Sequence, residues 1–174
     1  MKLPWSVDTS DNGNPFHCNP FHLPNRAICN IIGNIMRVVI DTNVLVAALR
    51  SRSGASYLLV EEWRRGKIEA VATVALFLEY EAVLKRPENR WPAGVSEAEI
   101  DVLLDELSLV CVEVESRVKW RPQLRDADDE IVLDAALNGR AQAIVTFNQS
   151  DFLLAARSFG IDVISPIELL RSYK

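Results

Sequence analysis

From Met36 onward the chain alternates short runs of β-branched residues with longer segments of helical periodicity. Val38-Val39-Ile40 is apolar at consecutive positions, the pattern of a strand buried on both faces. The run at 143–145 repeats it, 68–72 and 161–164 read as strands with one acid each, Glu69 and Asp162, and 109–114 alternates as a strand does. Strands separated by helices must return to the same end of the sheet, which makes the pairing parallel. The expected fold class is therefore α/β, a three-layer α/β/α arrangement around a central parallel sheet. Ligands in such sheets sit at the carboxyl ends of the strands. That rule selects Asp41 after the first strand, the turn at Thr73, and Thr146-Phe147-Asn148 after the fourth.

The helical segments are read from apolar spacing and end signals. Val44, Leu45, Ala48 and Leu49 make the first. The second spans 57–65, with Leu58, Leu59 and Trp63 inward and Gly66 ending it. Thr73 caps a third, which Leu76, Leu78 and Val83 draw into the core and which stops before Pro87. Residues 86–94 read as a loop. Ser96 and Glu99 form a capping-box pattern that opens a helix carrying Ile100, Leu103, Leu104 and Leu107. Residues 119–125 read as loop, and Asp126 or Asp128 caps a helix that Gly139 closes. A helix over 152–159 ends at Gly160, and Pro166 starts a short final one.

The first 35 residues have a different texture, rich in Pro, Asn and Ser and without either periodicity. They read as disorder, or as an artefact of where translation was assumed to begin, with Met36 a candidate natural start and 36–174 the folded domain. Both histidines, His17 and His22, lie in this segment with Cys18 and Cys29, at a spacing that matches no standard zinc finger. The domain itself therefore has no histidine, and Cys111 is its only cysteine. Ser-His-Asp and Cys-His catalysis are excluded from it. Neither Gly-rich phosphate-loop motif occurs. Its chemistry must come from carboxylates, amides, hydroxyls and cations.

At 174 residues, 49% hydrophobic and 25% charged, the chain suits one soluble domain. No apolar run approaches the roughly 20 residues that span a bilayer, and no secretory signal is evident. Three cysteines do not make a disulfide scaffold. The expectation is a reduced, cytoplasmic protein with no membrane association. A net charge of -5 argues against a generally basic nucleic-acid coat, though not against a local basic patch beside an acidic site.

Four places concentrate acids or amides. Asp41 follows a buried strand, where an unpaired carboxylate is costly; it can serve as a helix cap or as a ligand. Thr42 and Asn43 can fix it by local hydrogen bonds. Glu79 and Glu81 share a largely apolar helix and point in different directions, so one is inward and the other solvated. Asp126, Asp128, Asp129 and Glu130 exceed what capping one helix needs, and a hard divalent cation would relieve their repulsion. Asn148 and Asp151 follow the fourth strand, where Ser150 or Asp151 can also cap the next helix.

Together these segments resemble the PIN-domain family across residues 36 to about 172. Arg37-Val38-Val39-Ile40-Asp41-Thr42-Asn43 is similar to the family's opening strand and first acid. Glu79-Tyr80-Glu81 through Pro87 is similar to the helix bearing the second, with Glu79 the match. Arg125-Asp126-Ala127-Asp128-Asp129 resembles the third motif, with Asp129 the best match and Asp126 next. Ile144 through Asn148, with Asp151-Phe152, resembles the fourth. Within that family the segments resemble the VapC-like toxins of bacterial toxin–antitoxin pairs.

The resemblance implies a Mg²⁺- or Mn²⁺-dependent ribonuclease that cleaves single-stranded RNA. Asp41, Glu79, Asp129, Asp126 and Asp151 are the implied metal ligands, and Thr146 and Asn148 would position the attacking water or a ligand. Many relatives carry an acid where this chain has Asn148, so the fourth ligand is shared between Asn148 and Asp151. Arg50, Arg52, Lys85 and Arg86 lie near the motifs and are candidates for RNA-backbone contact. A homodimer and a small antitoxin that blocks the acidic site are implied as partners. The alternative is a PIN fold with weak or lost turnover, acting as a protein- or RNA-binding module. Two other first-strand-aspartate sites fit less well: a haloacid-dehalogenase-like site needs an Asp where Asn43 stands, and a response-regulator-like site needs a Lys after a late strand.

Overall fold

The computed structural model describes residues 36–117, 124 and 126–173. The segment 1–35, with its four candidate zinc ligands, and all of the loop expected over 119–125 except Leu124 lie outside the described residues. Five strands form one parallel sheet: β1 (Arg37–Ile40), β2 (Glu69–Ala72), β3 (Val112–Glu113), β4 (Ala143–Val145) and β5 (Asp162–Ile164). Their spatial order is β3-β2-β1-β4-β5. The register sets Val38 beside Ala70 on one side, and Ile40 beside Val145 on the other. Val38, Val39 and Ile40 are all fully buried. Successive strand side chains point to opposite faces, so helices must cover both faces of the sheet.

Eight helices do so among the described residues: α1 (Thr42–Arg50), α2 (Ala55–Arg64), α3 (Val74–Leu84), α4 (Pro87–Ala93), α5 (Glu97–Val110), α6 (Ala127–Gly139), α7 (Gln149–Ser158) and α8 (Pro166–Ser172). The α/β fold with a central parallel sheet is as expected. None of these helices is long and apolar enough to cross a membrane. The chain steps outward from β1 to β2 to β3, then returns to the other side of β1 for β4 and β5. The order reverses between β1 and β4, and connections leaving those two neighbours diverge and leave a crevice at their carboxyl ends.

The structure corrects several expectations. Residues 87–93 form a helix where a loop was expected. Pro87 sits in its first turn, where the missing N–H costs nothing, and Gly94 closes it in the left-handed conformation. The segment 109–114 is not one strand: α5 runs on through Val110, Leu109 is exposed, and only Val112–Glu113 pair with β2. In α2 the buried stripe is Ser56, Leu59, Val60 and Trp63, while Leu58 faces outward. In α3 it is Leu76, Tyr80 and Leu84, and Leu78 is 59% exposed. That helix is apolar on nearly every side, so its spacing could not say which stripe faces the core. Tyr80 decides it, because its hydroxyl donates to the Ile40 carbonyl at the end of β1.

Helix α6 ends not at a left-handed glycine but at Arg140, which itself takes φ 51°. Gly139 is required for a different reason. A Cβ there would stand 2.7 Å from Cγ2 of Val71 in β2. Val71 is buried and β-branched, so it cannot swing aside. Gly139→Ala in an open helix would stabilise by about 1 kcal/mol. Here overpacking should dominate and destabilise the fold by about 1–3 kcal/mol. Urea unfolding measures this directly, and an unchanged or raised midpoint would contradict the close packing of α6 on β2.

Candidate active site

Asp41 directly follows β1 and is the N-cap of α1, so the helix cap and the candidate ligand are one side chain. It is 6% exposed. Its backbone N–H donates to the Val145 carbonyl at 3.0 Å, which carries the β1–β4 ladder one residue past the strand end. One carboxylate oxygen accepts from the Thr146 hydroxyl at 2.6 Å and from Asn43 Nδ2 at 2.7 Å. The other accepts from the Asn43 backbone N–H at 3.3 Å. Asn43 Nδ2 also donates to Thr146 Oγ1, and Asn43 Oδ1 accepts from the Phe147 N–H. The Asn148 N–H donates to Thr146 Oγ1 at 2.9 Å. Thr146 is fully buried, with its one donor and both acceptor positions engaged. The two neighbouring strand ends are thereby fastened through a carboxylate, an amide and a hydroxyl.

A cavity of about 580 Å³ opens over this network. Asp41, Glu79, Asp128, Asp129 and Asn148 line it, with Arg50, Arg86 and Asn89. Glu79 comes from α3, whose place is fixed by the Tyr80 hydroxyl on Ile40 next to Asp41. Its neighbour Glu81 turns away and pairs with Lys85 at 2.6 Å. Asp128 and Asp129 lie in the first turn of α6, and Asp126 caps that helix by accepting from the Asp128 N–H. Asn148 occupies the N-cap position of α7 without a side-chain capping bond, and neither Ser150 nor Asp151 is that cap. Asp151 is exposed and does not line the cavity, yet its charge acts on both Asp41 and Asp129.

These acids raise one another's proton affinity. Burial pushes Asp41 up, opposed by its bonds from Thr146, Asn43 and Thr42, with Asp151 adding to the rise. Glu79 is raised by burial and by Asp128, Asp126 and Asp41, and is held back by Arg86. Asp129 is pushed up to about 6 by burial and then by Asp41, Asp126, Asp151 and Asp128. Repelling carboxylates around one cavity are a set that a cation would stabilise. Carboxylate, amide and hydroxyl oxygens are the donors that Mg²⁺ and Mn²⁺ prefer. The only described thiol, Cys111, does not line this cavity and burial raises it to about 12, which removes it from metal or nucleophile chemistry near neutral pH. Among the described residues no three potential ligands are drawn together closely enough to hold an ion in advance.

Of the four candidate RNA-contacting cations, Arg50 and Arg86 line the cavity. Arg52 does not. Lys85 is held between Glu81 and Asp101, each at 2.6 Å, and both raise its pKa. Asp128 and Asn89 line the cavity without having been picked out individually as site residues. Asn89 gave no signal because its segment read as a loop.

Fold and site together define a parallel α/β protein with an acid-lined cavity at the reversal point of its sheet. The family model of the PIN domain matches residues 37–150, which carry the whole of this arrangement up to the first turn of α7. The chain belongs to the PIN-domain family, whose members are generally nucleases and usually use divalent metals. A comparison with curated proteins finds no match.

The raised carboxylates fix how the metal-free protein responds to pH. Asp129 binds its proton more tightly folded than unfolded, where its value is near 3.8. Its contribution to stability is therefore best at low pH and is lost as pH rises from about 4 to about 6. Asp129→Asn removes that loss. In metal-free buffer the variant should gain stability relative to wild type across this window and hold a constant advantage above it, as measured by thermal unfolding. A difference that does not change with pH would contradict the shared electrostatics of the site.

Proposed function

We propose that the chain is a Mg²⁺- or Mn²⁺-dependent endoribonuclease acting on single-stranded RNA, and that it is the toxin of a toxin–antitoxin pair. The observation that carries the nuclease reading is the cavity at the β1–β4 reversal, where Asp41, Glu79 and Asp129 come from three different helix starts and faces to one space. A divalent cation bound there would lower the pKa of a water and stabilise charge on the phosphoryl oxygens. Asp41, Glu79 and Asp129 are the residues that would hold it; Asp128 and the Asn148 amide oxygen, which line the same cavity, and Asp126 and Asp151, whose charges act on Asp129, would assist by charge or as further ligands. Thr146 acts through Asp41: its hydroxyl is fully engaged, so it orients the carboxylate rather than a water. Arg50 and Arg86 supply positive charge beside the acids for the RNA backbone. The toxin role, the homodimer and a small antitoxin covering the acidic cavity follow from the VapC-like resemblance, and a cytoplasmic location from the composition and cysteine usage of the sequence.

A binding module without turnover is the second reading, favoured because among the described residues no three potential ligands stand together as a ready-made ion site. One assay decides between them. Purified protein with Mn²⁺ or Mg²⁺ should cleave a single-stranded RNA, and EDTA should abolish cleavage. Asp129→Asn or Asp41→Asn should slow it by about a hundredfold or more, equivalent to about 2.7 kcal/mol in the barrier. RNA that is bound but uncut would favour the binding module, and equal cleavage by Asp129→Asn would sink the enzyme reading.

A further inference from the structure

We propose that Asn89 is a positioning residue that holds Arg50 at the mouth of the acidic cavity as a contact for an RNA phosphate; the inference rests on the nuclease reading above. Asn89 lies in α4 and is 7% exposed, unusual for an amide on a short surface helix. Both ends of its amide are used. Oδ1 accepts from Arg50 Nη2 at 2.8 Å, and Nδ2 donates to the Val83 carbonyl at 2.8 Å. A guanidinium only donates and a carbonyl only accepts, so this orientation of the amide is the one the chemistry permits. Val83 lies near the end of α3, which bears Glu79, and Arg50 ends α1, which Asp41 begins. Asn89 therefore ties together the far ends of the two helices that deliver the first two acids.

The consequence is a fixed cation. A free arginine side chain loses rotamer entropy when it is immobilised on a ligand. Arg50, already held by a buried amide, has lost part of that freedom before RNA arrives. Among the described residues Arg50 has no ion-pair partner, whereas Arg37, Arg64, Arg65 and Arg90 are each paired with a glutamate. An acceptor that is neutral, not a carboxylate, fixes the guanidinium without cancelling its charge. An aspartate at position 89 would still accept from Arg50, but it would lose the bond to the Val83 carbonyl and would cancel the guanidinium's charge at the cavity mouth.

The test is equilibrium binding of a labelled single-stranded oligoribonucleotide across a salt series, with Mg²⁺ present and Asp129→Asn as the background so that RNA is not consumed. Arg50→Ala and Asn89→Ala should each weaken binding about fivefold to tenfold. Each should reduce the slope of log affinity against log salt by about 0.7, the share of one phosphate contact on a single strand. The double variant should bind no more weakly than Arg50→Ala alone. Asn89→Asp should also lose the slope increment, which keeps the test valid should Asn89→Ala not fold. If Asn89→Ala or Asn89→Asp leaves affinity and slope unchanged, or if losses at 50 and 89 add, the proposal is overturned while the nuclease reading stands. A background protein that binds no RNA at low salt overturns both.

Discussion

The hydrogen bond from Thr146 to Asp41 is the contact on which the rest of the site depends. It joins the residue after β1 to the residue after β4, and the sheet reverses its order between those strands. A carboxylate with 6% exposure is costly unless its oxygens are satisfied. Thr146 and Asn43 satisfy them without neutralising the charge, because both groups are uncharged donors. Asp41 is thus a fixed negative centre, and the charges on α3 and α6 are arranged around it. Loss of Thr146 would leave Asp41 under-satisfied and Asn148 without its backbone anchor at once.

Glu79 and Asp129 reach that centre by two different routes. Glu79 depends on a tertiary contact, the Tyr80 hydroxyl on the Ile40 carbonyl, which sets the rotation of a helix whose sequence is nearly uniformly apolar. Asp129 depends on local structure, since Asp126 starts α6 and the first turn carries the acids with it. The helix N-terminus also favours negative charge there. The raised proton affinity of all three acids follows from burial and mutual repulsion. The net charge of -5 and a phosphate-bearing substrate are reconciled locally, with Arg50 and Arg86 standing beside the acids.

The parts of this arrangement that were legible in the sequence are those governed by neighbours along the chain. Val38-Val39-Ile40 announces a buried strand, Ser96 and Glu99 announce a capping box that the structure contains, and the strand–helix alternation gives a parallel sheet. The strand order was not legible, and it is the order that makes Asp41 and Thr146 adjacent. The rotation of α3 was hidden because Leu78 and Leu76 look alike until Tyr80 finds its acceptor. Helix α4 was hidden by two prolines, although Pro87 in a first turn and Gly94 as a terminator are helix signals when read together. With α4 went Asn89, whose meaning lies in contacts to positions 50 and 83. Gly139 showed the same limit: the sequence marks a glycine, and only packing on Val71 says why it is needed.

The central claim is that Asp41, Glu79 and Asp129 act as one oxygen-donor set. Anomalous diffraction from crystals soaked in Mn²⁺ tests it most directly. The account predicts a peak in the cavity bounded by these three carboxylates, with Glu79 and Asp129 drawn toward Asp41, and its loss in Asp129→Asn. Saturating Mn²⁺ with no peak in that cavity, or an ion bound elsewhere while the three acids remain apart, would contradict it.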